Sequence, residues 1–414
     1  MNILGNINKI ISENGRFRGT LLFVYWVIHK VSEHLYISMI KVIFPVDKNV
    51  ILFNSEPDYS DNARALAEYM SKNGYGLKFH LYFDVSNECK YSVSDIRFVS
   101  VRGKYGIFRF KYLKTVYTAG YIMCTHETII TRKMARHNQH LIRLWHGCGY
   151  KDKSKYDGGE RNFDYALVPG KLFVKTKAYF WNVDKKYILP LGYPRYDWLI
   201  RCDLSAKSLI DSFKIDCMTK VVIWMPTYRN DRKGKYNESS SIKSFPIVKT
   251  NTEWSDLNLL CKLKNVVILV KLHPLQKEYG ISFDTFSNIK EITNNNFDVV
   301  NVPLYKFISL TDALISDYSS VAVDYLLVNR PMAFTLDDYE QYKMTRGFVF
   351  EDPIKYMPGH HVYDFEELKE FIVDVANGKD RYVQDRKRML DISIRQSENY
   401  CKDILDRIGI SLKM

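Results

Sequence analysis

Ala313-Leu314-Ile315-Ser316-Asp317-Tyr318-Ser319-Ser320-Val321 is the stretch on which the fold turns. Its first three residues read as a buried strand, a helical pattern opens at Val321, and the Asp and Ser residues between them suit a strand-to-helix turn. The same order recurs on either side. Val221-Val222-Ile223-Trp224-Met225 runs into Pro226-Thr227-Tyr228-Arg229, and Val266-Val267-Ile268-Leu269-Val270 runs into Lys271-Leu272-His273-Pro274. Met332-Ala333-Phe334 supplies a further strand. Upstream, short apolar runs at 50–53, 79–83, 96–101, 121–124, 141–145, 165–168 and 187–190 are separated by helical spacing, most clearly over 61–72. Strands alternating with helices predict parallel, doubly wound sheets, so the chain is read as α/β with two Rossmann-like domains facing a cleft.

The expected division is a segment at 1–48, an α/β domain at 49–200, a second at 201–380, and a C-terminal helix at 381–414. The polar stretch 230–245 has no core pattern and reads as a loop. Residues 365–408 are charged and helical, one or two helices in length.

The chain has 414 residues, of which 46% are hydrophobic and 14% aromatic, which excludes a disordered or collagen-like protein. Seven scattered cysteines with no Cys-x-x-Cys pair suggest neither a disulfide framework nor a zinc knuckle. The net charge is +13, and all of that excess lies in residues 1–200. Such asymmetry points to an anionic partner for the first half: nucleic acid, a membrane surface or a phosphate-rich substrate. Between 101 and 143, Arg102, Lys104, Arg109, Lys111, Lys114, Arg132, Lys133, Arg136 and Arg143 face only Glu127, with Phe108, Phe110, Tyr112 and Tyr117 interleaved. Basic and aromatic residues together suit anionic headgroups or a polyanionic chain. They also suit single-stranded nucleic acid, but no nucleic-acid module is visible and no nucleic-acid partner is expected.

Leu21-Leu22-Phe23-Val24-Tyr25-Trp26-Val27-Ile28 is the most apolar stretch, interrupted by His29, Lys30, Glu33 and His34. It is too short for the roughly 20 apolar residues of a spanning helix. With basic flanks and apolar residues resuming at Leu35, it reads as an amphipathic helix lying in a membrane interface, or packed on a domain surface.

In open parallel sheets, ligands bind beyond the carboxyl ends of the strands. Four polar stretches stand there: Trp145-His146-Gly147-Cys148-Gly149-Tyr150-Lys151, Met225-Pro226-Thr227-Tyr228-Arg229, Val270-Lys271-Leu272-His273-Pro274, and Ser316-Asp317-Tyr318-Ser319-Ser320. Ser319 and Ser320 head a helix, where hydroxyls and backbone N–H groups can cradle a phosphate; an ordinary helix cap favours the same residues.

Taken together, Trp145-His146-Gly147 with Lys151, Gly192-Tyr193-Pro194-Arg195-Tyr196-Asp197, Pro226-Thr227-Tyr228-Arg229, Leu272-His273-Pro274 and Asp317-Tyr318-Ser319-Ser320-Val321 resemble the CDP-glycerol glycerophosphotransferase family. Asn329-Arg330-Pro331 and Arg346-Gly347-Phe348 also look like that family's later segments, and the likeness spans about 115–375. Cys148, Gly149 and Tyr150 stand where the family usually has Thr-Pro-Leu.

The resemblance implies a GT-B-like, monotopic enzyme of teichoic acid or capsule synthesis at the cytoplasmic face of the membrane. It would transfer glycerol phosphate from CDP-glycerol to a hydroxyl of an undecaprenyl-linked acceptor, releasing CMP. The length suits a primase. Alternatives are a polyol-phosphate polymerase using CDP-glycerol or CDP-ribitol, a nucleotide-sugar glycosyltransferase on the same scaffold, and a non-catalytic subunit of an envelope-polymer complex. It also implies that 49–200 serves the acceptor and membrane, and that 201–380 binds the donor. Residue by residue, His146 matches the proposed base and His273 the second essential histidine. Arg229, Thr227, Asp317, Ser319 and Ser320 match donor-phosphate contacts, with Lys151 and Arg195 as further candidates. With no Asp-x-Asp pair after a strand, no obligatory metal or other cofactor is expected, and Asp337-Asp338 reads as solvated surface.

Overall fold

The computed structural model describes residues 16–100, 110–127, 129–151, 161–227, 245–272 and 281–412. Two wholly parallel arrangements of strands follow from the apolar runs. The first sheet contains β1 (Asp47–Asn54), β2 (His80–Asp84), β3 (Ile96–Val99), β4 (Ala119–Cys124), β5 (His140–Arg143), β6 (Tyr165–Leu167) and β7 (Ile188–Leu189), in the order β3-β2-β1-β4-β5-β6-β7. The second contains β8 (Lys220–Trp224), β9 (Val266–Val270), β10 (Ile289–Glu291), β11 (Ala313–Ser316), β12 (Met332–Thr335) and β13 (His360–Val362), in the order β10-β9-β8-β11-β12-β13.

Both orders run outward from the first strand to one side and then return to the other. Each sheet therefore has a switch point, between β1 and β4 and between β8 and β11, where loops at the strand ends diverge and leave a crevice. The α/β, GT-B-like expectation of two doubly wound parallel sheets is borne out. The two strands not read from the sequence, β10 and β13, are three-residue edges. Three helices, Phe365–Ala376, Val383–Ser393 and Tyr400–Arg407, occupy the tail where one or two were expected.

Backbone contacts group the chain into two compact units, Met1–Arg143 with Asn162–Asp164, and Leu144–Arg161 with Tyr165–Met414. In the first, Ile40 of the helix Arg16–Ile43 and Leu113, Val116 and Tyr117 of the helix Phe110–Thr118 bury against Val50, Leu52, Ile122 and Leu141. In the second, Trp224 at the end of β8 meets Phe245 with ring centroids 4.8 Å apart, and Trp254 closes the cluster on Phe245 at 5.0 Å. Trp254 belongs to the helix Asn251–Leu263, which starts on a capping box formed by Thr250 and Glu253.

One buried carboxylate lies at the end of β2. Asp84 accepts hydrogen bonds from Asn54 Nδ2 at 3.0 Å and Tyr112 OH at 3.2 Å, yet burial pushes its pKa up to about 6. Because the folded pKa lies above the unfolded value, the folded state holds this proton more tightly. Its contribution to stability is present at acid pH and is lost as pH rises from about 4 through 6. Asp84→Asn, whose amide oxygen can still accept both bonds, should be about 2–3 kcal/mol more stable than the parent at pH 8 and no more stable at pH 4. Urea denaturation at the two pH values checks this, and an equal effect at both would refute it.

Candidate active site

The second sheet's switch point is closed by one interaction. Thr227, just beyond β8, donates its backbone N–H to Asp317 Oδ2 at 2.8 Å, and its hydroxyl donates to Asp317 Oδ1. Asp317 is fully buried just beyond β11. Its carboxylate thus spans the two diverging strand ends and fixes the direction in which each chain leaves the sheet. Ser316 reinforces the join, its hydroxyl donating to the Met225 carbonyl at 2.9 Å.

Beyond Asp317, the chain turns through Tyr318, Ser319 and Ser320 into the short helix Val321–Tyr325. Tyr318 is buried and donates to Asp338 Oδ1 at 2.9 Å, with its ring 5.1 Å from Phe348. This corrects the reading of Asp337-Asp338 as solvated: Asp338 is buried, and Asp337 forms an ion pair with Lys249 at 2.6 Å. Ser319 and Ser320, by contrast, remain partly accessible. Their carbonyls accept from the Ala322 and Val323 N–H groups, so the helix begins on them.

The His146 segment lies directly on these serines, and both belong to the same compact unit. Gly147 has φ +142°, and a β-carbon there would lie 2.4 Å from Ser320 Oγ. At Gly149 a β-carbon would lie 2.9 Å from the Ser320 N and Cα atoms. The glycines are therefore required by contact: only bare backbone lets the histidine loop reach the serine turn. Gly147 meets the Ser320 side chain, whereas Gly149 meets its backbone. His146 is half-buried, its ring centroid 4.0 Å from that of Trp145, and Lys177 Nζ sits 4.8 Å from the Trp145 ring. Trp145 itself has φ +59°, a sparsely populated conformation for a bulky residue, held by an edge contact with Trp181 at 5.0 Å.

The rest of the loop is equally fixed. Cys148 Sγ is 3.3 Å from Tyr193 OH, Tyr150 OH donates to the Tyr356 carbonyl at 2.9 Å, and the Lys151 backbone bridges to Phe348. The segments carrying Lys151 and Arg346-Gly347-Phe348 are thereby joined. Arg195 is only 1% exposed, with its guanidinium directed to Asp324 and the His146 carbonyl. Asp197, from the same stretch, accepts the Tyr400 and Cys401 N–H groups at 2.8 and 3.1 Å and so caps the final helix.

His146, Lys151, Arg195, Thr227, Asp317, Ser319 and Ser320 are thus accounted for, and the backbone of Gly147, next to His146, is brought against Ser320. Arg229 and His273 lie outside the described residues. Lys271, two residues before His273 in the same strand-end stretch, is a group to which the sequence reading assigns no role. It is 8% exposed at the end of β9, its ammonium donates to Asn294 Oδ1 at 2.7 Å, and burial lowers its pKa to about 8. A lysine directly after a five-residue apolar strand was the available signal. Among the described residues, no group of three or more His, Cys, Asp or Glu is placed to hold a metal ion.

Known proteins resemble this chain over most of its length. The model of the CDP-glycerol:poly(glycerophosphate) glycerophosphotransferase family matches residues 36–402. Teichoic acid ribitol-phosphate polymerase TarK of Staphylococcus aureus is 26% identical over 417 residues, covering 92% of this chain and 74% of that protein. The teichoic acid glycerol-phosphate primase of Bacillus subtilis is 24% identical over 344 residues, covering 78% and 82%. The structure of the wall teichoic acid polymerase TagF superposes with a TM-score of 0.73 over 95% of this chain and 96% of that one, at 21% identity, a likeness of fold.

Proposed function

Because the chain belongs to the CDP-glycerol:poly(glycerophosphate) glycerophosphotransferase family, we propose that it transfers glycerol phosphate from CDP-glycerol to a hydroxyl of a lipid-linked saccharide in teichoic acid synthesis. The observation that carries the reading is the seating of the His146-Gly147 backbone on Ser320, which sets a candidate base beside a candidate phosphate cradle. The acceptor oxygen attacks the phosphorus bearing the glycerol, forming the new phosphodiester bond. The bond from that phosphorus to the bridging oxygen breaks in line, and CMP leaves with the electron pair. His146 takes the hydroxyl proton. Ser319 and Ser320, with Arg229 and His273, hold and neutralise the pyrophosphate as charge moves onto CMP. Thr227 and Asp317 act beneath them by fixing the strand ends.

Ribitol phosphate is the second donor to weigh, favoured by the match to TarK. Incubation with CDP-glycerol, CDP-ribitol and UDP-sugars, with a synthetic lipid-linked disaccharide as acceptor, tests the reading. CMP release from CDP-glycerol is expected, with one added unit for a primase and a ladder for a polymerase. UDP release, or no nucleotide release from any donor, would overturn it.

We further propose peripheral attachment to the cytoplasmic face of the membrane. No helix among the described residues is long and apolar enough to cross one. On the helix Arg16–Ile43, however, Ile28, Val31, Leu35 and Val42 are 63%, 55%, 66% and 86% exposed at helical spacing. Lys114 and Phe110 stand beside the helix's end, Lys114 Nζ lying 4.1 Å from the Phe44 ring centroid. An apolar stripe edged by cations suits an anionic lipid surface. Ile28→Glu with Leu35→Glu should reduce sedimentation with phosphatidylglycerol vesicles at least tenfold without lowering turnover of a soluble acceptor. Unchanged sedimentation would refute the attachment.

A further inference from the structure

We propose that Arg195 and Asp324 are positioning residues that set the catalytic base relative to the phosphate cradle, an inference that rests on His146 being that base. Asp324 is fully buried one turn into the helix headed by Ser319 and Ser320, and its backbone N–H donates to the Ser320 carbonyl at 3.3 Å. Its carboxylate therefore moves with the serine turn. The Arg195 fork has two arms: Nη2 meets Asp324 Oδ2 at 2.5 Å, and Nη1 donates to the His146 carbonyl at 3.1 Å. One planar guanidinium thus ties the backbone of the base to the helix that carries the cradle, a geometry in which both arms are set by the same rigid group.

The rest of the carboxylate is committed to keeping it there. Tyr196 OH donates to Oδ1 at 2.5 Å and Tyr305 OH to Oδ2 at 2.8 Å. Tyr305 also lies under the guanidinium, 4.1 Å from its carbon to the ring centroid. Such an assembly is a costly way to obtain stability alone, since apolar residues of like volume commonly serve as well. What apolar residues could not supply is the bond to the His146 carbonyl. Gly147 confirms how tight the register is: a β-carbon there would lie 3.4 Å from Arg195 Nη2 as well as against Ser320.

The test is a double-mutant cycle between Arg195→Lys and His146→Ala, read as CMP release from CDP-glycerol with a lipid-linked disaccharide acceptor. Lysine keeps the buried charge opposite Asp324 but has no second arm for the carbonyl. Arg195→Lys is expected to lower kcat 10- to 100-fold with KM for CDP-glycerol within threefold of the parent. The double variant should be no more than about threefold below His146→Ala alone, because a residue that acts through the base has nothing left to position. Multiplicative losses would overturn the inference while leaving His146 as base, and so would a raised KM with kcat unchanged, which would make Arg195 a donor contact. Parental turnover in His146→Ala would overturn the base and this inference with it. Should Arg195→Lys fail to fold, Tyr305→Phe, which removes one bond to Asp324, carries the same cycle with an expected three- to tenfold loss in kcat; multiplicative losses there would overturn the inference equally.

Discussion

His146→Ala should reduce turnover by about 10²–10⁴-fold while CDP-glycerol still binds. The magnitude follows from what the imidazole does. An alcohol is a poor nucleophile until its proton has somewhere to go, and histidine is the side chain whose ordinary pKa leaves it neutral yet basic near pH 7. Donor affinity should survive, because the proposed donor contacts are other groups, the serine turn and the residues that follow β8 and β9. The half-buried ring, tilted against Trp145 with centroids 4.0 Å apart, is restrained before substrate arrives, so its removal costs positioning as well as basicity. CMP release and equilibrium dialysis of CDP-glycerol measure the two. Parental turnover with normal donor binding would remove His146 from the chemistry.

Much of the fold is legible in sequence because buried parallel strands are apolar on both faces. The run Val266–Val270 is entirely buried, and its bounds can be read from composition alone. The same logic passes over β10, where Ile289 is buried, Lys290 half-buried and Glu291 exposed, and over β13, which begins with two histidines. An edge strand has one wet side, and at three residues it is too short to display a period.

The site divides in the same way. Strand-end residues announce themselves by following an apolar run, which is how His146, Thr227 and Ser320 come to notice. Asp324 and Tyr305 carry no such mark: an acid one turn into a helix and a tyrosine in another look like surface until the chain is folded. Arg195 is legible as a member of a motif but not in its partners. A sequence displays which groups are polar, whereas only packing decides whether a polar group meets substrate or another polar group.

Gly147→Ala should be nearly as damaging as loss of the base, although it removes no functional group. The new methyl would sit 2.4 Å from Ser320 Oγ and 2.8 Å from Ser320 Cβ, and a φ of +142° is closed to residues with a β-carbon. The hydroxyl could rotate away, but Cβ moves only with the Ser320 backbone, which heads a helix carrying the buried Asp324. The loop must therefore lift from the serine turn and carry His146 away with it. A displacement of about 1 Å between reacting groups can cost on the order of 10² in rate, so turnover should fall at least about a hundredfold. Gly378→Ala separates the two causes. Gly378 also has a positive φ, +66°, but nothing lies within 4 Å of its would-be β-carbon. That variant should lose about 1 kcal/mol of stability and keep its turnover, because backbone strain alone does not reach the site. Thermal denaturation and CMP release on both variants decide the matter. If Gly147→Ala turns over like the parent, the contact with Ser320 is not what places the base.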